Sequence, residues 1–290
     1  MLILPDGWKD YALLDMASGE KLERWGNVVV ARPDPQIIWP DTSGKVKWDC
    51  HLRYHRSIQG GGSWERIKTT PERWTITWRS LKFIIRPTDF KHMGLFPEQA
   101  ANWDWIMRNA EPGIKILNLF GYTGGATIAA AKTGASVTHV DAAKGMNMWA
   151  KENAALNGLS NIRFITDDVL KFVQREQRRG NRYDAIIMDP PSYGRGPGGE
   201  VWKIEDRLHE LVRSCAQLLS TNARFFLINA YTTGFSSIVV ENILRVALKK
   251  GVTSGELGIK CANGLILPCG IYARWERAEI VKRSPSGPRR

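Results

Sequence analysis

The stretch Lys115-Ile-Leu-Asn-Leu-Phe-Gly-Tyr-Thr-Gly-Gly125 decides how the rest of this sequence is interpreted. An apolar strand runs into the turn Gly121-Tyr122-Thr123-Gly124-Gly125, and a helix is predicted from about Ala126 onward. A strand, a glycine turn and a helix in this order let the backbone approach a ligand closely. The stretch therefore predicts a nucleotide-like ligand at the end of the strand.

Asp141 follows twenty residues after Gly121, at the end of the next predicted strand. A carboxylate at this position can accept hydrogen bonds from both hydroxyls of a ribose. The turn lacks the G-x-G-x-x-G spacing that fits a pyrophosphate, which argues against a dinucleotide and hydride transfer. The alternative interpretation is an ordinary turn between a strand and a helix, with Asp141 as a helix cap.

Apolar strands alternate with amphipathic helices from about residue 98 onward, the pattern of a parallel sheet. The predicted strands cover residues 115–120, 136–140, 162–165, 183–188 and 223–228. The predicted helices cover residues 98–108, 127–132, 144–157, 169–178 and 204–219. Apolar residues 257–259, 265–267 and 271–275 predict two closing strands with a turn at Asn263-Gly264. The predicted fold class is α/β, a doubly wound Rossmann-like sheet in residues 90–290.

Residues 1–89 are predicted to form a smaller β-rich domain. Nine of the twelve tryptophans lie in the first 110 residues, within short β-branched and aromatic runs that Pro and Gly interrupt. Strands are predicted at residues 27–31, 36–39, 74–78 and 81–85, with a glycine turn at 60–62. Trp74 and Trp78 have the alternation of a half-buried strand and are predicted core residues, whereas Trp64 is predicted to be exposed.

The chain is strongly basic: 41 Lys and Arg against 29 Asp and Glu give a net charge of +12 and a pI of about 9.7. This favours an anionic partner such as nucleic acid. The excess is concentrated in residues 51–90 and in the C-terminal ten residues. The basic residues concerned are Arg53, Arg56, Arg66, Lys68, Arg73, Arg79, Lys82, Arg86, Lys282, Arg283, Arg289 and Arg290.

Several classes of protein are disfavoured by composition. No apolar run approaches the ~20 residues of a membrane helix, and the first residues lack the features of a signal peptide, so we expect a soluble, cytoplasmic protein without a membrane partner. The four cysteines are scattered without a C-x-x-C pair, which predicts reduced, structural thiols and no metal site. His92 and His139 are interpreted as structural.

A second motif, Asp189-Pro190-Pro191-Ser192-Tyr193, follows the fourth predicted strand at the edge where ligands of α/β sheets bind. The two prolines make this segment rigid. A fixed carboxylate and carbonyl can hold a ring nitrogen or exocyclic amine of a base, and Tyr193 can stack on its face. The plain alternative is a strand that ends at prolines.

Together these motifs resemble those of S-adenosylmethionine-dependent methyltransferases, and more narrowly the bacterial large-subunit ribosomal RNA methyltransferases that modify cytosine C5 or guanine N7. The resemblance covers about residues 90–275. It rests on residues 118–125, Asp141, a helix with Asn153 and Asn157, Asp167-Asp168-Val169, and Asp189-Pro-Pro-Ser-Tyr193. It implies S-adenosylmethionine as cofactor and RNA as partner. Residues 1–89 match the RNA-binding modules of these enzymes poorly, and RNA binding by this part is suggested instead by the tryptophans interleaved with arginines in residues 48–86.

The resemblance also implies roles for individual residues. Residues 120–124 would face the methionine end of the cofactor, Asp141 the ribose, Asp168 the adenine amino group, and residues 189–193 the target base. The cofactor-binding set is Phe120, Gly121, Tyr122, Thr123, Gly124, Asp141, Asp168 and Asp189; the catalytic set is Asp189, Pro190, Pro191 and Tyr193. Residues 94–99 resemble the segment that covers the cofactor in these enzymes.

The chemistry favours a purine nitrogen over cytosine C5. A C5 carbon needs a cysteine to add to the ring first, and neither Asp189-Pro-Pro-Ser192 nor residues 229–232 contain one. Two other functions stay open: methylation of a small molecule or protein, and RNA binding with a vestigial cofactor site. Residues 194–199 are a lid or a plain surface loop, and the oligomeric state is not determined by the sequence.

Overall fold

The computed structural model describes residues 1–41, 48–57, 61–195, 201–231 and 234–278. The strands found there are β1 (Leu2–Ile3), β2 (Tyr11–Ala17), β3 (Glu20–Trp25), β4 (Val28–Pro33), β5 (Leu52–Arg56), β6 (Gly62–Arg66), β7 (Trp74–Trp78), β8 (Leu81–Ile85), β9 (Lys115–Leu119), β10 (Ser136–Asp141), β11 (Ile162–Thr166), β12 (Ala185–Met188), β13 (Tyr193–Arg195), β14 (Val201–Lys203), β15 (Phe225–Ala230), β16 (Thr253–Lys260) and β17 (Ile266–Glu276). The helices are a 3₁₀ turn (Pro97–Gln99), α1 (Ala100–Asn109), α2 (Gly125–Lys132), α3 (Lys144–Leu156), α4 (Val169–Arg178), α5 (Ile204–Ala216) and α6 (Ser237–Leu248).

The large sheet has eight strands in the order β1-β16-β17-β15-β12-β9-β10-β11. Strands β9 to β12 and β15 are mutually parallel, and β17 pairs antiparallel with both β15 and β16. Every residue of β12 and β15 is buried, because helices cover both faces of a doubly wound sheet. The strand order reverses between β9 and β12, and ligands of such sheets bind at that point. The predicted doubly wound fold is confirmed.

The first strand belongs to this large sheet. Leu2 and Ile3 of β1 pair in parallel with Glu256 and Leu257 of β16 at the edge of the sheet. Glycine is required beside it at Gly255, where a Cβ atom would lie 1.7 Å from the carbonyl oxygen of Met1.

The β-rich part of the chain consists of a five-stranded sheet, β2 to β6, and the hairpin β7–β8. The hairpin packs on α3: the backbone N–H of Ile84 donates to Asn153 Oδ1 at 2.9 Å, and Trp149 Nε1 donates to the Ile84 carbonyl at 3.1 Å. One hydrophobic cluster includes buried side chains from both this part and the large sheet, among them Trp78 of β7 and Ile116 of β9. The division at residue 89 stays a prediction.

Most predicted elements are present, and the exceptions have physical causes. Residues 36–39 form no strand: a turn at residues 35–36 is followed by irregular backbone. Prolines at 35 and 40 cannot donate to a ladder, and Asp34 Oδ1 accepts from the Gln36 N–H at 3.1 Å. The fifth strand of the parallel sheet, predicted from residue 223, begins at 225, and α6 was not predicted.

Two further expectations concern aromatic residues and loops. The Trp64 side chain is partly buried rather than exposed, because its N–H donates to the carbonyls of Thr88 (2.7 Å) and Phe90 (3.1 Å) and its ring contacts Tyr54. Residue 60, most of residues 194–199, which the sequence leaves open as a lid or a plain surface loop, and the basic C-terminal residues lie outside the described residues. None of the described helices combines the length and hydrophobicity of a membrane span.

Candidate active site

Four strands of the large sheet end side by side. Leu119 of β9 pairs with Val140 of β10 and with Met188 of β12, and Met188 pairs with Ile228 of β15. The next residues of the four strands therefore form one row at the carboxyl edge of the sheet. They are Phe120, Asp141, Asp189 and Asn229.

The turn after β9 holds two non-glycine residues in the left-handed conformation, with φ of +55° at Phe120 and +49° at Tyr122. Asp141 ties this turn to β10: its Oδ2 accepts from the Tyr122 N–H and its Oδ1 from the Ala143 N–H, both at 2.8 Å. Burial raises the pKa of Asp141, against the effect of these two donors. Left-handed residues of this size cost free energy, so the carboxylate stabilises a backbone shape that the turn would otherwise avoid.

A buried hydrogen-bonded chain lies behind the turn. Asn118 Nδ2 donates to Thr127 Oγ1, and the same hydroxyl is hydrogen-bonded to His139 Nδ1; both contacts are 2.8 Å. Burial lowers the pKa of His139 to about 4, which keeps the imidazole neutral. A Cβ atom on Gly121 would lie 2.3 Å from the His139 ring. His139 thus supports the turn, and only glycine fits at position 121.

Residues 94–99 cross in front of the turn, where the sequence predicts a covering segment. The Thr123 hydroxyl is buried and donates to the Gly94 carbonyl at 2.5 Å. Gly94 has φ of +88°, and a Cβ atom there would lie 2.2 Å from Trp149. The Phe96 ring lies 5.5 Å from the Tyr122 ring. Thr123 therefore holds the covering segment in place.

Asp168 begins the helix that follows β11. Its Oδ1 accepts from the Lys171 N–H at 2.9 Å, the geometry of a helix N-cap. The residues that follow it, Val169 and Leu170, line the same cavity as Asp168 and Asp141. An acidic group with apolar neighbours at this position suits a flat heterocycle that carries an amine.

Asp189 lies at the centre of the row. Asn229 Nδ2 donates to Asp189 Oδ1 at 2.9 Å. Burial raises the pKa of Asp189 to about 6, while the Asn229 hydrogen bond acts to lower it. Pro190 and Pro191 continue the wall, and Trp202 Nε1 donates to the Pro191 carbonyl at 2.6 Å. The carboxyl is therefore mostly ionised at neutral pH and held in a rigid segment.

These groups surround a cavity of about 680 Å³. Of the predicted site residues, seven line it: Phe120, Tyr122, Asp141, Asp168, Asp189, Pro190 and Pro191. Gly121 lines a smaller adjoining cavity of about 50 Å³. Gly124 is the left-handed N-cap of α2 behind the turn. Tyr193 is 53% exposed on β13 and is not among the described residues that line the cavity.

Two aromatic residues other than Tyr193 line the cavity next to the Asp189-Pro-Pro segment. Trp202 lies on β14, which pairs with β13, and its ring is 5.1 Å from Phe120. Tyr231 follows β15, and its carbonyl accepts from the Ser192 hydroxyl at 3.0 Å. Both residues line the cavity. The position of Tyr231 two residues beyond Asn229 at a strand end was a usable signal, whereas Trp202 carried none.

Residues of β3 and β4, and residues that follow β4 and β8, also line the cavity. They are Lys21, Arg32, Pro33, Asp34, Lys91 and His92, and we call this set the opposite wall. Arg32 forms a buried ion pair with Glu23, and Lys21 Nζ lies 2.9 Å from Asp34 Oδ2. Lys91 Nζ donates to the Pro33 carbonyl at 3.3 Å and forms no ion pair with the described acids. Burial, and the positive charges of Lys21, Arg32 and Arg56 against Asp34, lower the pKa of Lys91 to about 8.

Only part of the basic excess in residues 51–90 is available to a partner. Four of the eight basic residues form ion pairs with acids of this chain: Arg53, Lys68, Arg73 and Arg79. The other four form no ion pair within the described residues; they are Arg56, Arg66, Lys82 and Arg86. The charge pattern alone therefore overstates the cationic surface.

The four cysteines are buried free thiols, as predicted for structural residues. Cys269 also lines the cavity, which the sequence did not indicate. Its Sγ donates to the Leu267 carbonyl at 3.3 Å, and burial raises the pKa of the thiol well above its ordinary value. The thiolate, the reactive form, is therefore scarce at neutral pH.

Comparison with known proteins matches this chain to methyltransferases. A sequence model described as S-adenosylmethionine-dependent methyltransferase matches residues 47–247. A crystal structure of the SAM-dependent methyltransferase from Agrobacterium tumefaciens superposes with a TM-score of 0.87 and 37% identity, over 95% of this chain and 93% of that one.

Two curated relatives carry the name ribosomal RNA large subunit methyltransferase K/L. The protein from Syntrophotalea carbinolica is 34% identical over 173 residues, which cover 58% of this chain and 24% of the relative. The protein from Shewanella frigidimarina is 30% identical over 210 residues, 71% of this chain and 28% of the relative. The chain thus spans about a quarter of the length of these relatives.

Proposed function

The chain belongs to the S-adenosylmethionine-dependent methyltransferase family, and on this premise we propose that it methylates a base in RNA, with ribosomal RNA as the favoured substrate and a purine nitrogen as the acceptor. The observation that carries the proposal is the row of Phe120, Asp141, Asp189 and Asn229. Phe120 and Asp141 in this row suit the cofactor, Asp189 and Asn229 suit a base, and all four line one cavity.

The residues around the turn fit S-adenosylmethionine. A side chain on Gly121 would collide with His139, so the backbone there forms a cradle that no larger residue permits. Each Asp141 oxygen accepts one backbone N–H and has a second lone pair for a ribose hydroxyl. Asp168 beside Val169 suits the adenine, and Phe120 with Tyr122 suits the methionine end. When bound, the cofactor supplies an electrophilic methyl group on a sulfonium.

The chain itself has to orient the nucleophile and exclude water. Asp189 is the group that accepts a hydrogen bond from the base, and Pro190 and Pro191 keep its backbone from turning away. Trp202 and Tyr231 flank this segment and offer aromatic faces to a base. Holding the base in line with the methyl group lowers the barrier by supplying the orientation before the reaction begins.

The state of the cysteine in the wall supports a nitrogen acceptor. Methylation of cytosine C5 requires a thiolate to add to the ring, whereas a purine nitrogen attacks directly. Cys269 is buried, its thiol donates to a carbonyl, and its raised pKa keeps it protonated. The wall therefore provides a hydrogen-bond acceptor at Asp189 but no activated sulfur nucleophile among the described residues.

An RNA substrate is supported by the names of the curated relatives and by the cations around the opposite wall. Lys91 lines the cavity and forms no ion pair with an acid in the described part of the chain, although the charge of Asp34 acts on its pKa; Arg56 is also near enough to influence that pKa. Cations beside a base pocket suit the phosphates that flank a flipped nucleotide.

The test is methyl transfer from labelled S-adenosylmethionine to total RNA from cells that lack this protein, followed by mass mapping of the modified nucleoside. We expect one methylated purine in ribosomal RNA, with Asp189→Ala at least ~10²-fold slower. RNA with 5-fluorocytosine should form no covalent adduct, and Cys269→Ser should retain the rate of the chemical step. Transfer only to small molecules or proteins would overturn the RNA proposal. An adduct abolished by Cys269→Ser would overturn the nitrogen acceptor, and cofactor binding without any transfer would favour a vestigial site.

A further inference from the structure

A chain of buried hydrogen bonds leads away from the cavity, beginning at Asp189. Asn229 Nδ2 donates to Asp189 Oδ1 at 2.9 Å, and Asn229 Oδ1 accepts from Asn102 Nδ2 across a longer contact of 3.4 Å. Asn102 Nδ2 also donates to Gln99 Oε1 at 2.7 Å, and Asn102 Oδ1 accepts from Arg274 Nη2. Asp189 follows β12, Asn229 lies in β15, Asn102 in α1 and Arg274 in β17, so the chain links three neighbouring strands of the large sheet through α1.

Arg274 ends this chain as a group that can only donate. It is 9% exposed and forms no ion pair with the acids of the described residues. Its guanidinium carbon lies 4.4 Å from the centre of the Tyr272 ring and 4.9 Å from that of Trp105. Burial lowers the pKa of Arg274 to about 10, so it stays protonated at neutral pH. Two rings and the oxygen of Asn102 therefore stabilise this buried cation.

The donor-only end fixes the direction of every other bond in the chain. If the Asn102 amide turned over, its NH₂ group would face the N–H groups of Arg274. The orientation of the Asn102 amide in turn determines that of Asn229. If the Asn229 amide turned over, its NH₂ group would face the NH₂ group of Asn102 and its oxygen would face the Asp189 carboxylate. The only arrangement without like-to-like contacts directs the Asn229 N–H at Asp189.

We propose that Arg274, Asn102 and Asn229 are positioning residues that hold Asp189 as a hydrogen-bond acceptor, so that the methylated base must present an N–H or NH₂ group to it. This inference rests on the proposed function for the identity of the base, but the arrangement of the protein groups does not depend on it. A carboxyl stabilised as an acceptor selects a donor and rejects a base edge that offers only lone pairs. We call Arg274, Asn102 and Asn229 the relay. Its effect is on substrate specificity, although its residues lie behind Asp189.

The measurement is the titration of the Asp189 carboxyl carbon by NMR in ¹³C-labelled protein bound to S-adenosylhomocysteine, assigned with Asp189→Asn. The cavity also contains the ionisable groups Lys21, Arg32, Asp34, Lys91, His92, Glu98, Tyr122, Asp141, Asp168, Tyr231 and Cys269, so the comparison is always with wild type. Asn229→Leu removes the donor in nearly the same volume and should raise the titration midpoint by about one pH unit or more.

Variants of Arg274, at the far end of the hydrogen-bonded chain, distinguish an effect of amide orientation from an effect of altered packing. Arg274→Met frees both amides to turn and should raise the midpoint by about half a pH unit, whereas Arg274→Lys keeps a donor-only cation and should restore it. The control is Asn161→Ala, which removes a partly buried amide that donates to the carbonyls of Ala131 and Ala135 away from the cavity, and should leave the midpoint unchanged.

The pH dependence of methylation of total RNA provides the second readout, and its acidic limb should move with the NMR midpoint in each variant. If the midpoint is the same in wild type, Asn229→Leu and Arg274→Met while all three are folded, the relay is refuted. Should Asn229→Leu not fold, the contrast between Arg274→Met and Arg274→Lys decides. Midpoints that move as expected in a protein that methylates no RNA would leave the relay standing and refute the proposed substrate.

Discussion

Replacement of Asp189 by asparagine tests the energetic cost of a carboxylate in the cavity wall. Burial raises the pKa of Asp189 from its ordinary value of 3.8 to about 6, although the hydrogen bond from Asn229 lowers it. A carboxyl whose pKa is higher in the folded than in the unfolded chain binds its proton more tightly when folded. Folding stability therefore falls as the pH rises between those two values and is constant above them.

One pKa unit corresponds to ~1.36 kcal/mol, so wild type should lose about 3 kcal/mol of unfolding free energy through this group between about pH 4 and pH 7. Asparagine keeps an oxygen that accepts from Asn229 and does not titrate. Urea unfolding of the two proteins at half-unit pH steps should show the variant gaining about 3 kcal/mol on wild type over this interval.

The same variant should methylate ~10²-fold more slowly and bind S-adenosylhomocysteine within a few-fold of wild type, because the amide presents a donor where the base needs an acceptor. A stability difference that does not change with pH, or one that shrinks as the pH rises, would refute the reasoning about burial.

Three further outcomes are expected. Gly121→Ala should lower the unfolding free energy by about 1–3 kcal/mol in thermal or urea denaturation because the new methyl group meets the buried His139 ring, whereas Gly145→Ala, with no atom within 4 Å, should not. Asp141→Ala should weaken the binding of S-adenosylhomocysteine by about 1–3 kcal/mol in isothermal titration calorimetry, and an unchanged affinity would contradict the assignment of Asp141 to the ribose. RNA affinity should fall with salt with a log–log slope of several units, reduced by about one in Arg56→Ser; a flat salt response would contradict an RNA partner.

The half of the site nearest the sheet could be predicted from the sequence because its geometry is local. Parallel strands buried on both faces are continuous apolar runs, so the residue after each run is found by counting. Asp141 and Asp189 were located in this way, and the ladder registers place them in one row. The prediction of a strand at 36–39 was wrong. An apolar run between prolines has the composition of a strand, but prolines have no backbone N–H to donate to a ladder.

The opposite wall could not be predicted, because the chain reaches it through tertiary packing. Lys21, Arg32 and Lys91 are separated from Asp189 by about a hundred residues or more, and no periodicity in the sequence links them. Arg274 illustrates the same limit. The sequence around this basic residue in an apolar strand does not indicate that it contacts the amide of Asn102, which is 172 positions away.

The short strand at the start of the chain has a consequence for how the protein is made. Leu2 and Ile3 pair with Glu256 and Leu257, so their partners are synthesised about 250 residues later. Translation runs from the amino to the carboxyl end, so β1 is made before β16, and contacts over such separations form late. When Leu2 and Ile3 leave the ribosome, β16 has not yet been made, so these two residues have no partner strand at that time. The large sheet can therefore be completed only when nearly all of the described chain has left the ribosome.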